Sequence, residues 1–385
     1  MTVLAKKKRR NCLMQAESKN KKKAKFSVTK VPKIILASVN LFFLLGMLLS
    51  AYSPYFSPCK FANISLLGLA FPAFVVINIV FFIVFVLLEK RMLLVSGLFF
   101  IVCLNPILTY FPVNFKSDVK EDGSIKVLSY NVMSFNFTEK KKGKNEVLEY
   151  IANSQSDIVC LQEYDEHTNN KFITKKDILS RLKDYRYHNI LNKVNETGTG
   201  LACFSKYPII SAKRVKYKSK HNASMMYEIK VGNDTLLVIN NHLESNRLNE
   251  KDKDDYEQIV TNRNTGETKT KVLNIAGKLK RASLIRSKQV DEVNKIIAKN
   301  AHRKVIVCGD FNDTPISYTH KQLTKHLKDA FVETGFGASP SFYKKMIYVR
   351  IDNILLSKSI TPIYCKVDNS ISASDHYPIW CRIKL

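Results

Sequence analysis

The sequence predicts an α+β domain of two packed sheets with helices on their outer faces, preceded by three transmembrane helices. Three observations carry this expectation. Charge almost vanishes between residues 34 and 112. From Ile125 onward, strand-like and helix-like runs alternate. Hairpins are mixed with the helices, which suits α+β better than a strictly parallel α/β sheet.

The amino-terminal part comes first. Residues 1–33 hold twelve Lys or Arg and a single acid, Glu17. Residues 34–112 carry only Lys60, Glu89, Lys90 and Arg91. Three uncharged apolar runs lie there, at residues 34–52, 64–88 and 92–111. Each is near or above the roughly 20 residues that cross a bilayer. Turn and charge signals, "SPYFSPCK" and "EKR", separate them. The basic tail and the Lys90–Arg91 turn are expected to stay cytoplasmic. Three crossings then place the carboxy-terminal domain outside the cytoplasm, in a protein integral to an inner or plasma membrane. The long basic region and the two later apolar runs argue against a cleaved signal peptide. The lack of charge in the runs argues against a transport path.

A linker, residues 113–124, leads to the domain at 125–385. From Val113 on there are 46 basic and 31 acidic residues, a net charge of +15. That balance suits a polyanion, whose phosphates Lys and Arg neutralise, and equally an anionic bilayer surface. Of five cysteines in the domain, Cys160, Cys203, Cys308 and Cys381 sit in short apolar runs, where a free thiol acts as a small buried hydrophobe. The fifth is Cys365. Their spacing is that of neither a zinc site nor a disulfide framework.

Along the domain, "IKVLSYNV" reads as a strand and "NEVLEYIANSQ" as a helix with Val147, Leu148 and Ile151 on one face. "SDIVCLQEY" and "TGLACFSKYPI" are further strands. "SMMYEIKVGNDTLLVINNHLES" is a hairpin about Gly232-Asn233-Asp234. The run "RASLIRSKQVDEVNKIIAKN" has helical spacing. "RKVIVCGDFNDTP", "VRIDNILLS" and "SDHYPIWCRIKL" close the series as strands. Residues 247–283 are strongly polar and predict an exposed insertion with some helix.

Several strands end in residues able to hold a metal or a phosphate: Asn131, Glu163, His242, Asp310 with Asn312, Asp352, and Asp375 with His376. Asp and Asn are also good turn residues, so a single such end means little. Six in one domain are hard to obtain as turns alone. Oxygen donors without cysteine suit a hard cation such as Mg²⁺, with Glu163 the foremost ligand and Asn131 and Asp375 beside it. Asp310, held by Asn312, could orient or deprotonate a water. His242 and His376 could donate hydrogen bonds to charge on a phosphate, with Asp352 behind His376.

The ordered series "LSYNV", "DIVCLQE", "NNHLES", "GDFND", "RIDNILLS" and "SDHYPIW" resembles the endonuclease/exonuclease/phosphatase superfamily over residues 125–385. The resemblance implies a DNase-like four-layer α/β/β/α sandwich and a Mg²⁺-dependent phosphoesterase, with Mn²⁺ as a substitute metal. It implies that Glu163 binds the metal, with Asn131 and Asp375 on the metal side. His242 and His376 would contact the phosphate, Asp310 and Asn312 would position water, and Asp352 would pair with His376. Asn353 departs from the pattern, standing where an aromatic often follows the Asp. The expected substrate is a nucleic acid or a phospholipid or inositol phosphate, with no obligate protein partner. The stretch 339–349, "SPSFYKKMIYV", is a candidate apolar loop for a lipid substrate. The competing expectation is an inactive membrane-tethered binding or scaffold module of the same fold.

Overall fold

The computed structural model describes residues 14–15, 31–88, 90–137, 144–167, 172–194, 198–261 and 268–385. The basic tail lies almost wholly outside the described residues, as do Glu89 and residues 262–267 of the polar insertion. The chain forms two units. One takes residues up to Leu49 and Phe71–Cys103; the other takes Ser50–Ala70 and Leu104–Leu385.

The first unit is helical. Helices Val31–Tyr52 and Phe71–Leu88 supply its long apolar elements, and Lys90–Val102 follows them. Among the described residues, two helices are long and apolar enough to cross a membrane. They become three if Lys90–Val102 and Leu104–Tyr110 count as one broken span. Buried amides tie the helices together. Asn40 Nδ2 donates to Asn78 Oδ1 at 3.2 Å, Asn78 Nδ2 donates to the Phe43 carbonyl at 3.0 Å, and Ser96 Oγ donates to Asn40 Oδ1 at 3.3 Å. Buried polar side chains need such partners, and these bonds fix how the helices meet.

The second apolar run of the sequence divides. Its first residues, from Ile64 to Ala70, are the end of a short helix, Pro58–Ser65, and a 3₁₀ turn, Leu66–Ala70. They belong to the second unit, and the straight helix begins only at Phe71.

Fourteen strands are described in the second unit. In chain order they are β1 (Ile125–Asn131), β2 (Ile158–Tyr164), β3 (Tyr187–Leu191), β4 (Gly200–Ser205), β5 (Ile209–Arg214), β6 (Ala223–Val231), β7 (Asp234–His242), β8 (Lys304–Asp310), β9 (Leu327–Asp329), β10 (Phe342–Lys344), β11 (Ile347–Val349), β12 (Asp352–Ser357), β13 (Thr361–Val367) and β14 (Ile379–Lys384). Two six-stranded sheets result, ordered β13-β14-β1-β2-β4-β3 and β5-β6-β7-β8-β12-β9, with β10-β11 a separate hairpin. Val127, Cys160, Ile306, Cys308 and Ile354 fill the space between the sheets. Leu128, Val159 and Leu161 face the other way, with Val147, Ile151 and Ile178 of the helices Glu146–Asn153 and Lys175–Arg181. Val305, Val307 and Leu355 pack with Val290, Val293 and Ile297 of the helix Thr268–Lys299. These are the four layers expected. Strands covered on both faces explain the continuous apolar runs of β2 and β8.

The insertion at 247–283 is more ordered than its polarity suggests. Asn249 opens the helix Glu250–Val260 with a capping box to Asp252, which satisfies otherwise orphaned amides. The following helix runs from Thr268, well before the expected Arg281. It buries Ile275 and Ala282 as well as the anticipated Val290, Val293 and Ile297. The described domain cysteines are free and buried.

Candidate active site

Strand pairing brings the polar ends together. β7 and β8 run parallel, with His242 opposite Asp310; β8 and β12 are antiparallel, with Asp310 opposite Asp352. His242, Asp310 and Asp352 are therefore three neighbours in one row across the sheet. In the other sheet, β1 and β2 are parallel and place Asn131 opposite Gln162, one residue before Glu163. A bulge at Gln162/Tyr164, with Glu163 at φ 51°, breaks the ladder there. Bulges re-aim a side chain at a strand end. Here the result is that Gln162 bonds Asn240 Oδ1 between the sheets at 2.6 Å, while Glu163 joins the site.

Two tight backbone features hold β8's end. Gly309 has φ 126°, and a Cβ there would overlap the Asn241 carbonyl oxygen. Only glycine fits both conditions. Beyond it, the Asn312 backbone N–H donates to Asp310 Oδ1 at 2.7 Å, and Asn312 Nδ2 donates to Asp310 Oδ2 at 3.1 Å and to the Leu243 carbonyl at 3.0 Å.

All eight predicted site residues converge. Asn131 Nδ2 donates to Glu163 Oε1 and to Asp310 Oδ2, each at 3.2 Å. His242 Nε2 lies 3.6 Å from Glu163 Oε1 and 3.8 Å from Asp310 Oδ2. His376 Nε2 also lies 3.8 Å from Asp310 Oδ2, while its Nδ1 is 2.8 Å from Asp352 Oδ2. Asp375 lines the same cavity, of about 370 Å³, as Glu163, Asp310, Asn312 and His376.

The electrostatics separate the two imidazoles. Burial opposes charge on His376, but Asp352 and Asp310 outweigh it and push its pKa up to about 10. For His242 burial dominates and lowers the pKa, despite Asp310. Burial, with Asp352 next to it, pushes Asp310 up to about 6. Burial also raises Glu163, and Asp375 and Asp352 add to the rise.

Four carboxylates thus meet two histidines, of which His376 is held charged by Asp352 and Asp310. Asp310, Asp352 and His376 form a buried cluster, each bringing one ligating atom to within 4.8 Å of the others. Carboxylates in this excess call for a cation, and a donor set of carboxylates and an amide oxygen suits a hard one. The residues present fit a divalent metal.

Sequence reasoning missed three supports. Arg286 is buried and lines the cavity; it donates to the Glu244 carbonyl at 2.7 Å and to Asn246 Oδ1 at 3.0 Å, and meets Asp313 Oδ2 at 3.3 Å. A charge on the stripe Ala282, Val290, Val293, Ile297 was its signal. Ser341 Oγ accepts from the backbone N–H groups of Ile351 and Asp352, both at 2.9 Å. Ser374 Oγ donates to the Asn131 carbonyl at 2.8 Å. Neither serine carried a readable signal. Asn353, the departure noted in the pattern, is fully buried and bonds the Ile351 carbonyl.

The sequence profile of the Endonuclease/Exonuclease/phosphatase family matches residues 128–376, well over half of the chain. The chain belongs to that family. A second profile, a domain of unknown function, matches residues 33–110. No curated protein matches the chain. Among solved structures, the human Nocturnin catalytic domain with bound sulfate is 18% identical, with 71% of this chain and 95% of that one covered and a TM-score of 0.48. The family member from Bacteroides vulgatus is 15% identical, covering 68% and 99% at a TM-score of 0.46. D. rerio TDP2 complexed with a single-strand DNA product is 15% identical, covering 69% and 100% at a TM-score of 0.47.

Proposed function

We propose that this family member is a membrane-anchored hydrolase of phosphate esters that uses Mg²⁺, with Mn²⁺ as a substitute. The observation that carries the reading is the row His242–Asp310–Asp352, met from the facing sheet by Asn131 and Glu163. Glu163, with Asn131 and Asp375, would hold the metal, whose chemistry is to polarise a phosphoryl oxygen. Asp310, fixed by two bonds from Asn312, takes a proton from water as the water oxygen attacks phosphorus in line. The bond from phosphorus to the leaving oxygen breaks, and that oxygen departs with the electron pair. His376, charged and backed by Asp352, donates to a phosphate oxygen, and His242 donates from Nε2.

The test uses the whole 385-residue chain in detergent or nanodiscs and a generic aryl phosphodiester. Hydrolysis with Mg²⁺ is expected to stop with EDTA. It should fall about 10²- to 10³-fold in Glu163→Gln, a loss of the size that follows removal of a key charge-stabilising group. Unchanged turnover by a folded Glu163→Gln protein overturns the assignment.

Membrane anchoring is supported by the long apolar helices and by their outward side chains, among them Phe42, Leu49, Ile83 and Leu94, all more than half exposed. Contiguous exposed apolar surface of this kind marks contact with lipid or protein. The count of three spans also has support, while a cytoplasmic amino terminus and an outside catalytic domain rest on the basic tail. Residues 53–70 and 111–385 lie in one compact unit, which fits an even number of crossings between them.

A nucleic acid substrate is a second reading. It is favoured by a basic hollow of about 930 Å³ that meets the site at Ser245–Arg247 and includes Arg214, Lys218, Lys220, Lys278 and Arg281.

A further inference from the structure

The active-site cavity has an apolar wall built partly from outside the catalytic sequence. Residues 53–70 join two apolar helices in the chain, yet they pack on the catalytic domain within one unit. Cys59 Sγ lies 3.4 Å from Ser287 Oγ, Lys280 Nζ donates to Asn63 Oδ1 at 3.1 Å, and Lys321 Nζ sits 4.6 Å from the Tyr55 ring centre. Gly68 seats so closely on the Ile316 carbonyl oxygen that a Cβ would overlap it. Ile316 lies four residues beyond Asn312, so the segment rests on the backbone that leaves the catalytic turn.

This seating puts Leu66 and Leu69 in the cavity whose floor holds Glu163, Asp310, Asn312, Asp375 and His376. Ile275, Leu279, Ile347 and Val349 line it too. The last two come from the apolar stretch 339–349. Aliphatic side chains thus make up much of the lining beyond the floor, with Ser65, Asn246, Lys253, Tyr256 and Ser283 among them. Against Leu66, Leu69, Ile275 and Leu279, sugar hydroxyls and base edges would lose water without gaining partners, which is costly, whereas a hydrocarbon chain would gain by burial. Leu69 is two residues from Phe71, where an 18-residue helix with no charged residue begins. The apolar wall is therefore continuous, along the chain, with a candidate membrane span.

We propose that the substrate is an amphiphilic phosphate ester, with its phosphate on the carboxylate–histidine floor and its hydrocarbon chain along Leu66, Leu69 and Ile275. This rests on the phosphoesterase reading and narrows its substrate class to a membrane-borne lipid phosphate ester.

The experiment compares 4-nitrophenyl methyl phosphate with 4-nitrophenyl dodecyl phosphate, below the latter's micelle concentration. It uses the whole chain in nanodiscs with Mg²⁺, and nitrophenol release reports both reactions. The dodecyl ester is expected to have a kcat/KM about tenfold or more above the methyl ester. Leu69→Ser should pull that ratio towards one; Leu69 is 41% exposed, so the variant should fold, as thermal unfolding would check. Equal rates for the two esters, or faster cleavage of a single-stranded oligonucleotide than of the dodecyl ester, overturns the inference and leaves the phosphoesterase reading standing. If neither ester nor the oligonucleotide is cleaved, the phosphoesterase reading itself fails, and this inference with it.

Discussion

Gly309 shows how far one residue can govern the site. It separates the buried strand interior at Cys308 from Asp310, at a φ of 126° and against the Asn241 backbone. Gly309→Ala must both strain the backbone and push β7 from β8, and so misplace His242 relative to Asp310. We expect a loss of about 3 kcal/mol or more in stability and a kcat below a hundredth of the parent's, measured by thermal unfolding and by ester hydrolysis. At this scale the sequence was informative. Asn131, Glu163, His242, Asp310, Asn312, Asp352, Asp375 and His376 were all visible as polar groups ending apolar runs, and they meet in space. Arg286, Ser341 and Ser374 were not, because their partners are backbone atoms or loops far away in sequence. No local pattern encodes a bond whose other end is set by the fold.

At the scale of elements, a second buried network ties β9 to the start of β12. Asp329 ends β9, caps the short helix Ala330–Thr334 through the Phe331 and Val332 amides, and meets His320 at 2.9 Å and Arg350 at 3.3 Å. Arg350 precedes Asp352 by two residues and reaches the Thr109 carbonyl at 2.8 Å. Burial raises the Asp329 pKa, but the His320 hydrogen bond and the Arg350 charge outweigh it and hold the carboxyl below its usual range. A depressed carboxylate stabilises the fold above its unfolded pKa and loses that contribution as pH falls through the folded value. Asp329→Asn should therefore cost about 3 to 5 kcal/mol at pH 7. The gap to the parent should narrow below about pH 4, as thermal unfolding across pH would reveal. Regular elements were legible where a short apolar run was unbroken, as in β2 and β8, or where periodicity was clean, as in the second half of the helix Thr268–Lys299. The first half of that helix was hidden by its polar composition, since Ile275 and Ala282 are sparse along it. The 3₁₀ turn at Leu66–Ala70 was hidden the other way, by apolar residues that read as membrane span but pack against the catalytic domain.

At the scale of the whole molecule, topology and site are one problem. Under the proposed three-span topology, residues 50–70 and 104–385, which share one compact unit, stand on the same side of the membrane. A reporter active only outside the cytoplasm, fused after Leu385, should be active, and one active only inside should be silent. The reverse pattern would remove the three-span arrangement. The seat of Gly68 on the Ile316 carbonyl has a consequence for biogenesis. The ribosome makes the Leu66–Leu69 wall before the two later apolar stretches, and the rest of the cavity only after them. The wall must wait, unpaired, until those stretches are laid down and the last strands emerge. A chain whose later stretches inserted wrongly would strand the two halves of its pocket in different compartments. Under the proposed activity and topology, hydrolysis would then report that both halves of the pocket had reached the same side of the bilayer.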